Sequence, residues 1–99
     1  MSRRKGERPV ALELDRYGED HPVAQMIADG DNWFQAWTAQ TATPLTTLAK
    51  RTGIPRKRLL TIERGDRISR AELDALARAW CVSSRDLERS IGAGIEIIA

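Results

Sequence analysis

Residues 46–65 read TTLAKRTGIPRKRLLTIERG. Two amphipathic runs meet at Gly53-Ile54-Pro55, and the cations Arg56, Lys57 and Arg58 follow at once. A helix closing at Gly53 ends with φ above zero, which costs glycine little, and Pro55 sets the φ of the next helix's first turn, where its missing N–H has no partner to lose. Between them the chain turns sharply. Ile54, Leu59 and Ile62, at i, i+5 and i+8, point inward, so the second helix buries one side against Leu48 and Ala49 of the first. Its free side carries Arg56 and Lys57 near the N-terminus, then Leu60, Thr61 and Arg64. A helix end that projects cations and a hydroxyl from a braced corner has the form needed to enter a major groove, about 12 Å wide.

Working outward, a helix from about Pro44 to Arg51 has Leu45, Leu48 and Ala49 as its inner stripe. Before it, residues 32–40 place Trp33, Phe34 and Trp37 at helical spacing, and these aromatics are expected to bury one face as core rather than stack on bases. Asp20 is expected to cap a short helix with Pro22 in its first turn, Gly30 to close it, and Asp31 to cap the aromatic run. Downstream, Gly65 ends the cationic helix. Ser69 and Glu72 form a capping box for a helix that buries Leu73, Leu76, Ala77 and Trp80. Ser83 and Asp86 repeat that start signal, with Leu87 and Ile91 on the inner side of a last helix before Gly92 and Gly94.

The expectation is therefore an all-α domain over residues 20–92 with five helices, six counting the one near Val23. The flanks are less regular. Residues 1–19 comprise a basic arm, MSRRKGER, which is either a disordered terminus or a strip that follows a DNA groove, and then a strand-like alternation, PVALEL, at residues 9–14. Residues 93–99 form an apolar tail whose Ile95 and Ile97 also alternate. A lone strand leaves backbone groups unpaired, so the two ends are expected to pair with each other or with a second chain.

Ninety-nine residues, 41% apolar and 30% charged, suit one folded domain. No apolar run approaches the roughly 20 residues of a membrane span, and none follows the N-terminal cations as in a signal peptide, so no membrane partner and a cytoplasmic location are expected. His21 and Cys81 are solitary, which leaves no disulfide, metal-ligand set, cofactor motif or catalytic pair. An enzyme is not expected. The net charge of +2 conceals a separation: residues 45–70 hold eight cations against Glu63 and Asp66, whereas residues 9–44 hold six carboxylates against Arg16. A field of one sign on part of a small domain attracts polyanions.

The run LTTLAKRTGIPRKRLLTIERGDRISRAELDALARAWCVSSRDL at residues 45–87 resembles the lambda-repressor-like (Xre/Cro) helix-turn-helix family. The resemblance rests on Leu48-Ala49, Gly53-Ile54, Leu59, Ile62 with Glu63-Arg64-Gly65, then Leu73, Leu76, Ala77 and Val82-Ser83 before Leu87. It implies operator binding as a symmetric dimer, with the motif at residues 45–64 and the recognition helix at about 55–64 in the major groove. Base contacts then fall to Arg56, Lys57 and Thr61, with Leu60 against a thymine methyl, and phosphate contacts to Thr46, Thr47, Arg64 and Arg67. Arg58 reaches a phosphate or a base by helical angle, and Lys50 and Arg51 face solvent.

Three departures from the family pattern matter. Thr43-Pro44-Leu45 stands where Leu-Ser-Gln is common, removing a Gln contact to phosphate. Thr38 aligns with the family's Arg partner of Glu63, and Pro55 replaces a Ser or Thr cap worth about 1 kcal/mol. The resemblance implies a nucleoid-associated transcriptional regulator that binds double-stranded DNA, with a protein partner at the terminal apolar segments as a further expectation. The alternatives are a protein-interaction adaptor, or an antitoxin-type autoregulator, built on the same scaffold.

Overall fold

Among the described residues, four of the six helices begin at a side chain that accepts from first-turn N–H groups, and the other two follow a proline. In a computed structural model describing residues 14–98, the chain forms helices α1 (Pro22–Ala28), α2 (Trp33–Thr41), α3 (Leu45–Thr52), α4 (Arg56–Glu63), α5 (Arg70–Trp80) and α6 (Ser84–Ile91). A 3₁₀ turn, Gly92–Gly94, follows α6, and two short strands, β1 (Ile68–Ser69) and β2 (Ile97–Ile98), complete a mostly helical structure. Among the described residues, no helix is long and apolar enough to cross a membrane.

Ser69 and Glu72 form the reciprocal capping box at the start of α5, and Ser83 Oγ accepts from Asp86 N at the start of α6. Two caps differ from expectation. His21, not Asp20, caps α1: Pro22 biases the residue before it toward extended backbone, and His21 takes that conformation while its Nδ1 accepts from Val23 N. Asn32, not Asp31, caps α2, its Oδ1 accepting from Phe34 N at 2.7 Å and Gln35 N at 3.3 Å. α3 and α4 start after Pro44 and Pro55 with no side-chain cap.

The core lies between α2, α3, α4, α5 and α6. Trp37 and Trp80 stack with ring centroids 6.1 Å apart and planes 15° from parallel, while Trp33 and Phe34 meet Trp80 edge-on. Trp37 is fully buried, and its indole N–H donates to Ser90 Oγ at 2.9 Å, tying α2 to α6. Leu48, Leu59, Ile62, Leu73, Leu76 and Leu87 have no exposed surface, so the inner stripes of four helices close on one another.

The C-terminal tail finds a strand partner within the domain. β2 lies parallel to β1, with Ile97 opposite Ile68 and Ser69 opposite Ile98. The turn after α4 leaves Ile68 N without a helical acceptor, and Glu96 O accepts from it at 3.0 Å. Ile95 sits over that turn, its Cδ1 3.9 Å from where a Cβ on Gly65 would stand. At the other end, Asp15 forms a single parallel bridge with Val82, and its N–H donates to Cys81 O at 2.7 Å. The basic arm of residues 1–8 and the alternating segment up to residue 13 lie outside the described residues.

Candidate nucleic-acid interface

The corner between α3 and α4 is held from within. Gly53 takes φ +76°, Thr52 Oγ1 donates to Leu48 O at 2.7 Å, and the same oxygen accepts from Ile54 N at 3.1 Å. Ile54, Leu59 and Ile62 are buried beneath the corner, which fixes the rotation of α4 about its own axis. Arg56 and Lys57, on the first turn of α4, are exposed. Leu60 and Thr61, one turn on, are half-buried, and the Thr61 hydroxyl donates back to Lys57 O at 3.1 Å.

Arg64, at the end of α4, and Arg67, in the following loop, are exposed; on the first turn of α3, Thr46 is exposed and Thr47 half-buried. Among the described residues, no carboxylate pairs with Arg56, Lys57, Arg64 or Arg67. Both α3 and α4 begin after a proline, so no capping oxygen covers the positive end of either helix. Cations without a carboxylate partner on the exposed first turn of α4, which starts without a capping oxygen, suit a polyanion. Lys50 and Arg51 are exposed on the last turn of α3.

Arg58 is engaged within the protein. Its guanidinium donates from Nε and Nη2 to the two oxygens of Glu72, at 2.8 and 3.0 Å, and from Nη1 to Asp66 Oδ2 at 2.7 Å. Nη2 also reaches Arg67 O at 2.9 Å. Four of the five guanidinium N–H donors of Arg58, expected at a phosphate, are thus held by Glu72, Asp66 and the Arg67 carbonyl.

The same guanidinium, donating to the carboxylate, holds the Glu72 carboxyl down at about 2, aided by Ser69 N–H, and lowers Asp66 as well. Hydrogen bonds to both acids raise Arg58 in turn. A carboxyl depressed on folding stabilises the fold fully above its ordinary value and loses that contribution as pH falls through the depressed one. Between about pH 4.5 and 2, thermal melts of Glu72→Gln should therefore decline less steeply with acid than those of the native chain. Parallel curves would show that the ion pair adds nothing.

Glu63 has a partner that alignment to the family pattern misses. Gln35 Nε2 donates to its Oε2 at 2.9 Å, and Asn32 Nδ2 donates to its backbone oxygen at 2.9 Å, so the start of α2 clamps the end of α4. Thr38 instead turns its hydroxyl to Gln35 O. His21 has both ring nitrogens engaged: Nδ1 accepts from Val23 N, which places the ring proton on Nε2 toward Asp15.

Comparison with protein-family models, with curated proteins and with solved structures finds no match to this chain.

Proposed function

We propose that the chain is a small sequence-specific regulator that binds double-stranded DNA through a lambda-repressor-like helix-turn-helix. In this reading α2 to α6 are the five helices of that fold, α1 is an addition to it, and the chain works without catalysis. α4 enters the major groove, where Arg56 and Lys57 read guanine edges and Thr61 and Leu60 complete the contact. Thr46, Thr47, Arg64 and Arg67 hold phosphates, and a two-fold dimer reads half-sites about one helical turn apart. The observation that carries the reading is a cationic first turn of α4, exposed on one side and braced on the other by fully or nearly fully buried Ile54, Leu59 and Ile62.

Selection of bound sites from a random duplex pool, followed by titration over a range of salt, tests it. We expect a palindromic winner whose affinity falls by roughly 0.9 powers of salt concentration for each phosphate contacted. No duplex complex in dilute buffer would defeat the proposal. Leu14 and Ile98, the large hydrophobic side chains most exposed among the described residues, favour a second reading in which the scaffold also docks a protein, as an adaptor or antitoxin-type autoregulator. A chain serving only as an adaptor would keep its partner after Arg56→Ala.

A further inference from the structure

The side chain of Arg58 joins three pieces of backbone that are separate in sequence. It springs from α4, grips Asp66 and the carbonyl of Arg67 in the loop, and forks onto both oxygens of Glu72 at the start of α5. Glu72 Oε1 simultaneously accepts from Ser69 N, while Ser69 Oγ accepts from Glu72 N, so the fork lands on a cap that is already closed. A planar guanidinium bound through both edges fixes orientation as well as distance, which an ammonium cannot do. With side-chain exposures of 30% for Arg58 and 21% for Glu72, the pair is partly shielded from solvent and screened less than a surface pair.

We propose that Arg58 is a positioning residue for the DNA-reading surface: it locks α4, which carries Arg56 and Lys57, to the loop that carries Arg67, and touches no phosphate itself. The proposal rests on the DNA-binding reading above and names how that surface is held. Ordering the loop before DNA arrives removes an entropic cost that binding would otherwise bear. Without the clip, the cations remain on the protein but no longer stand at a fixed spacing to match successive phosphates and bases.

Glu72→Gln separates this role from simple electrostatics. Removing a carboxylate beside a polyanion site raises the local positive potential and by itself tightens binding. The clip requires the opposite. Glutamine still closes a capping box, so the start of α5 is retained. In titrations of the full chain with the selected duplex, below the onset of melting by circular dichroism, Glu72→Gln and Arg58→Met should each weaken binding about tenfold, mid-range for coupling within one network. The double variant should be little weaker than either single one, and the salt slope of Glu72→Gln should match the native slope.

Arg58→Lys should recover only part of the loss, since it restores charge without the fork. Asp66→Asn, in the exposed loop, supplies the same comparison if Glu72→Gln does not fold. Binding by the acid-to-amide variants as tight as native, with an Arg58→Met salt slope smaller by about one phosphate, would overturn the proposal and leave the DNA reading standing. A native chain that binds no duplex would overturn both.

Discussion

Trp80→Ala is expected to lower the melting temperature by on the order of 20 °C, because deleting a buried aromatic costs about 3–5 kcal/mol and each kcal/mol moves a domain of this size by about 4–8 °C. Trp80 is 2% exposed and is met by Trp37 on one face and by Trp33 and Phe34 edge-on, so no neighbour can collapse into the space without breaking another aromatic contact. A milder pair of substitutions separates packing from hydrogen bonding. The Trp37 indole donates to Ser90, whereas the Trp80 indole N–H is buried without a hydrogen-bond partner among the described residues. Trp37→Phe should therefore cost more than Trp80→Phe, by about the 1–3 kcal/mol of a buried acceptor left unpaired. Thermal melts of the three variants measure this, and an Ala variant that melts with the native chain would place Trp80 outside the core's energetics.

The second large effect is on recognition. Arg56→Ala or Lys57→Ala should weaken binding to the selected duplex by about 1–3 kcal/mol and relax the preference among sequences. Arg64→Ala and Arg67→Ala should weaken binding to every duplex about equally and lower the salt slope by about one each. Arg67→Ala leaves the carbonyl that Arg58 holds in place, so the loop keeps its shape and the change reports the side chain alone. Anisotropy titrations against the winning site and a scrambled one measure both quantities. If Arg56 and Lys57 altered affinity without altering preference, their assignment to base edges would be wrong.

What could be read in advance follows the range of the signals. Gly53, Pro55, Ser69 with Glu72, and Ser83 with Asp86 act within one helical turn, and the corner, the capping box and the last helix start stand where those residues indicate. The inner stripes were legible for the same reason, since helical period alone placed Leu59, Ile62, Leu73, Leu76 and Trp80 inward. The exposure of Arg56, Lys57, Arg64 and Arg67 is the complement of that stripe.

Illegible features depend on partners distant in sequence. Arg58 looks like its cationic neighbours until Glu72, fourteen residues on, is brought beside it. Glu63 meets Gln35, twenty-eight residues earlier, and the C-terminal strand meets β1. Two helix ends adopt left-handed backbone at Ala42, φ 52°, and Cys81, φ 59°, where no glycine announces the turn. There the Cβ penalty is borne by tertiary packing rather than avoided by residue choice.

The parallel seating of Ile97 against Ile68 has a consequence for genetics. Ile68 immediately follows Arg67, and its N–H is satisfied by Glu96 O, so the shape of the cationic loop is underwritten from some thirty positions downstream. Under the proposed function, a collection of alleles that lose regulation would contain frameshifts and nonsense codons near residues 95–98, far in sequence from the expected hits in α4.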